Sequence, residues 1–324
     1  MNKIKRSGRL LKASFAVLFR EKKLLLFPAI ATGLAAVVAL FFIVPILLYP
    51  TGHSFFSAAH WSALADLAAP GLQPGHHSPS QPVLVGSTGV MALFSGHWWV
   101  APIFAAAYFV SMFLATFCNV AFYHEIMQAL NGNAVSIRRG FRFAQSRWQA
   151  VLLWSLFAGL IGYLINAIEQ RVGFLGKIIA SFIGFAWSVA CIFIIPTLVR
   201  EEQTMNPVKL LRHSAGTLKR TWGELVIGFA GLELAFGLGA LLLLVAALLT
   251  GGVVTSLACW CFHWSQWWIL PVVIVEWFSL AAVLGLIGSV VNPVYRCALY
   301  VYATEGVIPD TFDQELLDSA WKVK

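Results

Sequence analysis

Two carboxylates stand where water is scarce. Glu233 and Glu276 each fall inside a long apolar run, and a charged side chain at the centre of a bilayer costs roughly 3 kcal/mol or more. No Lys or Arg lies within any of these runs, so neither acid has a cationic partner at its own depth. An acid so placed is protonated, hydrogen-bonded to polar groups, or bound to a cation. Glu233 is about nine residues from the basic end of its run and Glu276 about nine from the opposite end of its own, about 13 Å each at the helical rise. Across about 30 Å of hydrocarbon the two then sit at nearly one level. That predicts a proton, cation or substrate site. The competing structural reading is a neutral acid that ties helices together through a Trp, a Ser or a backbone group.

Three other constellations carry chemistry. Glu125, beside His124 at the end of the second run, and Arg296, at the end of the sixth, are expected to form an ion pair at the membrane boundary. His76 and His77, with Cys259, Cys261 and His263, combine imidazole with thiolate, a donor set that suits Zn or Cu. Cys-x-Cys is not a usual closed zinc spacing and these His are scattered, so incidental loop residues are the competing reading. Cys118 and Cys191 fall in the runs, Cys297 lies just past the sixth, and all three are expected to pack. The sequence contains no Walker loop, HExxH, GxSxG or plausible catalytic triad. No cofactor is predicted, and an external Zn or Cu is the one metal left open.

These residues are positioned by membrane spans. Of 324 residues, 59% are hydrophobic and 11% charged, against about 25% charged in a soluble domain. A chain so apolar cannot hide its surface in one core. Six runs, at residues 24–49, 98–122, 151–168, 178–199, 225–249 and 268–291, are long enough to cross a bilayer. They are continuous and do not alternate, so helices are required and a barrel is excluded. The expected fold is all-α: a polytopic membrane helix bundle of about six transmembrane helices, arranged as three hairpins.

The 22 Lys and Arg orient the spans. They crowd ahead of the first run, between runs two and three, between four and five, and after the sixth. Segments 50–99 and 250–267 contain none. Basic segments stay cytoplasmic, so both termini are expected on the cytoplasmic side of an inner (cytoplasmic) membrane. The net charge of +8 reads as orientation and as affinity for anionic lipid, not for nucleic acid. The 23 residues before the first run are too many and too patterned for a cleavable signal peptide.

The chain reads as one membrane domain, 1–324. It has a cytoplasmic amphipathic helix at 1–23, an external loop at 50–97, a second amphipathic segment at 203–222 and a tail at 303–324. Arg9-Leu-Leu-Lys-Ala-Ser14 matches Lys209-Leu-Leu-Arg-His-Ser214, and Leu18 and Arg20 match Leu218 and Arg220 in the same register. Residues 133–148 form a looser third copy. Each copy is expected to be a basic interfacial elbow helix that introduces one hairpin. In the external loop, residues 61–67 suggest a short helix, and 71–86, rich in Pro, Gly, Ser and His, reads as irregular.

The opening Arg9-Leu-Leu-Lys-Ala-Ser with Leu24-Leu-Leu-Phe-Pro28 carries a resemblance. So do Pro196 with Glu201, the run from Arg212-His-Ser to Lys219-Arg-Thr-Trp-Gly-Glu224, and the ending Tyr295-Arg-Cys-Ala-Leu-Tyr-Val-Tyr-Ala-Thr-Glu-Gly306. The chain resembles a family of bacterial six-span integral membrane proteins with a domain of unknown function. That resemblance implies the fold and supplies no activity. Three functions stay open. The first is a non-catalytic scaffold or accessory subunit that binds membrane-protein partners, lipid or a second copy. The second is a transporter or channel component working through Glu233 and Glu276. The third is an intramembrane enzyme acting on lipid.

Overall fold

The computed structural model describes residues 12, 14–48, 51–68, 100–171, 174–201, 206–262 and 269–305. Among these, every regular element is helical. Helical residues 14–20 (α1) and a 3-10 turn, Lys22–Leu25, lead into α2 (Leu26–Leu47). Then come α3 (Ala58–Ala68), α4 (Val100–Leu130), α5 (Ile137–Ser146), α6 (Trp148–Arg171) and α7 (Phe174–Ala190). They are followed by α8 (Ile194–Arg200), α9 (Pro207–Phe262) and α10 (Ile269–Glu305). Among the described residues, six helical stretches are long and apolar enough to cross a membrane, with mean hydropathies between 1.8 and 2.5. Their surfaces are apolar as well: Phe182 is 68% exposed, Leu242 69% and Phe278 61%. Water would not tolerate so much exposed hydrocarbon, and helices are the form that satisfies backbone groups inside lipid. The chain is an all-α, multi-pass membrane protein.

It divides into two compact units, Met1–Ala31 with Ala115–Lys324, and Thr32–Leu114. In the second unit, buried His60 near the start of α3 holds the end of α2. Its Nε2 donates to the Leu47 carbonyl at 3.1 Å, and its Nδ1 meets the Thr51 hydroxyl at 2.7 Å. Leu47 is the last residue of α2, and its carbonyl is one of four that a helix end leaves unpaired. Phe55 and Trp61 pack around the same imidazole. The short helix expected at 61–67 is present as α3 and begins three residues earlier.

In the first unit the buried residues concentrate at the basic end of the helices. Phe27 stacks on Phe122 at 5.5 Å and Phe141 at 5.9 Å. Phe193 lies against Tyr300 at 6.0 Å, and Ile126, Ile194, Leu198, Val290 and Val291 are fully buried. Helices α6 and α7 pair, with Trp154 stacked on Trp187. Helices α9 and α10 pair along much of their length.

The elbow repeat is visible in burial. Lys12 and Arg212 are exposed, and Ser14 and Ser214 are buried. Val17, Leu18 and their counterparts Thr217 and Leu218 are buried, while Arg20 and Arg220 are exposed. The positions between them agree as well: Phe15 and Ala215 are half-buried, Ala16 and Gly216 exposed. The looser copy at 133–148 contains a separate short helix, α5. The copy that precedes the fifth span is not separate, because α9 runs unbroken for 56 residues through elbow and span. At 1.5 Å per residue it is about 84 Å long, far beyond about 30 Å of hydrocarbon, so its basic first turns project from the apolar layer.

The two repeat serines differ in bonding. Ser214 Oγ donates to the Ala190 carbonyl at 2.6 Å and accepts from the Phe193 amide at 3.2 Å, bridging the break between α7 and α8. Ser14 Oγ is buried with no hydrogen-bond partner among the described residues. Removing a bonded hydroxyl strands its partners, whereas removing an orphan strands nothing. Ser214→Ala is therefore expected to lower stability by about 1–3 kcal/mol, and Ser14→Ala to be neutral or stabilising. Thermal unfolding in detergent, followed by tryptophan fluorescence, reads both.

Candidate functional site

The most heavily bonded acid among the described residues is Glu125, near the end of α4. Its side chain has no exposed surface. Helix α4 stops at Leu130, and Gly132, at φ +80°, turns the chain. Positive φ is open to glycine without steric cost. Four residues on, extended Ser136 caps α5, its hydroxyl accepting from the Arg139 amide at 3.5 Å. This reversal lays the first turn of α5 beside Glu125. Arg139 then binds it in a fork, Nε to Oε1 at 2.8 Å and Nη2 to Oε2 at 2.6 Å. The Ser136 amide donates to Oε2 at 2.7 Å, and His124 Nδ1 approaches Oε1 at 3.1 Å. A carboxylate offers about four acceptor sites, and all are used. Bonding to Glu125 pushes the Arg139 guanidinium further above its ordinary pKa, so its charge is permanent. The clamp fits closely because residue 140 is glycine: a Cβ there would stand 2.8 Å from the Ala121 carbonyl oxygen and 2.9 Å from Glu125 Cγ.

The expected Glu125–Arg296 pair is thus corrected, since the ion-pair partner is Arg139. Arg296 on α10 hydrogen-bonds to Tyr123. Residues two apart on a helix point about 200° apart, so the face of α4 that meets Arg296 is not the one carrying Glu125. Sequence reasoning misses Arg139 when it treats the basic residues after α4 only as a topology signal. Asn131-Gly132 followed by Ser136 is the available sign of a tight reversal.

Other contacts bind the same end together. Arg147, at the end of α5, donates to the carbonyls of Leu198 (3.2 Å) and Glu201 (2.5 Å), closing the C-terminus of α8, and its guanidinium lies 5.1 Å from the Phe143 ring centre. Cations are favourable at a helix C-terminus. Arg200 pairs with Glu305, joining the ends of α8 and α10, and His213 on α9 meets Glu201 at 2.6 Å.

The two membrane acids do not share a level. Glu276 accepts a long hydrogen bond from Thr250 Oγ1 on α9, at 3.4 Å. The rest of the hairpin keeps this register, with Gly239 facing Leu284 and Gly288 facing Phe236. Backbone position puts Glu233 seventeen residues before Thr250 on α9, about 25 Å along the axis. The expectation of one level fails because residues 250–262, read as part of a loop, continue α9. The hairpin turns later, and Glu276 slides away from Glu233.

Of the thiol and imidazole candidates, Cys259 and Cys261 lie in the last turns of α9. His76, His77 and His263 lie outside the described residues. Among the described residues no three His, Cys, Asp or Glu gather into a metal-sized group.

Residues 99–309 match the family of unknown function DUF6159. No curated protein and no solved structure matches the chain. The match covers well over half of the sequence, and the chain belongs to that family.

Proposed function

We propose that the protein is a non-catalytic integral membrane scaffold or accessory subunit, in a bacterial inner membrane. It would engage membrane-protein partners or lipid at its basic, cytoplasmic face. The observation that carries this reading is the α9–α10 register, which separates Glu233 from Glu276 by about 25 Å. A coupled carboxylate site needs its groups within a few ångströms of one ion. Glu125, the other membrane-boundary acid, is saturated by contacts from its own chain. The work of Glu125 and Glu276 in this reading is to hold helices together, and the exposed cations face outward.

The expected result is that protein extracted in mild detergent carries a fixed membrane-protein partner or bound lipid through size exclusion. A clean monomer without either would overturn the reading. The second reading, a transport component, draws support from Glu276 meeting Thr250 inside an apolar hairpin. It requires Glu276→Gln to abolish proton- or cation-coupled flux in reconstituted vesicles. The scaffold reading expects Glu233→Gln and Glu276→Gln to match wild type.

A further inference from the structure

We propose that the junction of α1 and α5 binds the phosphate of an anionic phospholipid. The junction is built by three contacts. Glu21 accepts from the Val135 amide at 3.2 Å, Arg20 donates to the Ala129 carbonyl, and Phe27 stacks on Phe141. These bring the segment around residues 20–23 against the start of α5. Five exposed cations lie on these two segments: Arg20, Lys22 and Lys23 on the first, and Arg138 and Arg142, about one helical turn apart, on the second.

The local acids are already engaged. Glu21 holds the Val135 amide, and buried Glu125 holds Arg139. Among the described residues no acid pairs with Lys22, Lys23, Arg138 or Arg142. Such a cluster at the rim of membrane helices calls for an anion. Its setting selects a lipid over a soluble phosphate. Phe19 is 68% exposed and Leu26 47% exposed, so apolar side chains flank the cations. An acyl chain matches the apolar flank and a phosphodiester the cations, as at other interfacial helices. The proposal rests on the preceding reading only in taking the basic face as the working surface.

The test is native mass spectrometry of the full-length protein, delipidated and titrated with phosphatidylglycerol or phosphatidylcholine. Wild type is expected to prefer phosphatidylglycerol by roughly tenfold. The variant K22Q/K23Q/R138Q/R142Q is expected to lose that preference. The variant K209Q/R212Q/K219Q/R220Q on α9, with the same change in charge, is expected to keep it. A salt series on wild type checks the same point without substitution: raising salt should erase the preference. Equal preference in wild type and the first variant would overturn the site. So would an equal loss in the α9 control, which would mean bulk charge alone, and so would displacement of the lipid by equimolar inorganic phosphate. A partner still co-purifying with a first variant that has kept its lipid preference would refute the lipid site and leave the scaffold reading intact.

Discussion

Arg139→Ala is expected to lower the unfolding free energy by about 3 kcal/mol, the lower end of what an orphaned buried charge costs. The truncation leaves Glu125 buried with only the Ser136 amide and His124 as donors. The lower end applies because Arg139 is 42% exposed, so some water can replace it. Glu125→Gln removes the charge and keeps the shape. It should cost less, about 1–2 kcal/mol, since the new amide turns a donor toward other donors. The pair makes a sharper test than either alone. In the double variant Glu125→Gln/Arg139→Ala no buried charge remains, so it should be more stable than Arg139→Ala. Additive losses in thermal unfolding would show that the two side chains do not act on each other.

The second large effect is steric. Gly140→Ala puts a methyl group 2.8 Å from the Ala121 carbonyl oxygen and 3.2 Å from Phe27 Cζ. The carbonyl belongs to α4 and cannot rotate away, so α5 must lift from the clamp. Overpacking of this kind costs about 1–3 kcal/mol, and Gly140→Val should cost more. Gly216 on α9 is the matched control. It is helical and exposed, and a methyl group added there would meet nothing within 4 Å. Gly216→Ala is expected to stabilise by about 0.5–1 kcal/mol. Opposite signs at the two glycines, read as melting temperatures in one detergent, separate packing from propensity.

The spans and elbows are legible in the sequence because lipid and charge act on whole segments. A run of twenty apolar residues or a cluster of arginines survives errors at any single position. The repeat is legible for a related reason: Ser14 and Ser214, or Leu18 and Leu218, are buried by the same amphipathic pattern that makes their sequences alike. What fails are pairings that depend on where a helix stops. Thr250-Gly251-Gly252 resembles a loop opening, yet α9 continues through it. In lipid an open backbone has no water to bond, so helix persists past glycines that would end it in solution. That difference moves Glu276 by several turns relative to Glu233. Likewise, shared depth pairs Glu125 with Arg296, whereas the local reversal at Gly132 delivers Arg139 first. Depth can be read from composition, but partner choice depends on turn geometry and on the rotation of each helix about its axis.

The separation of the two membrane acids bears most directly on what the protein does. Spin labels at positions 233 and 276, in a background whose native cysteines are replaced, report it by pulsed dipolar spectroscopy. The α9–α10 register predicts a distance centred at about 25–30 Å. A distribution centred below about 15 Å would bring both carboxylates to one site and restore the transport reading in place of the scaffold.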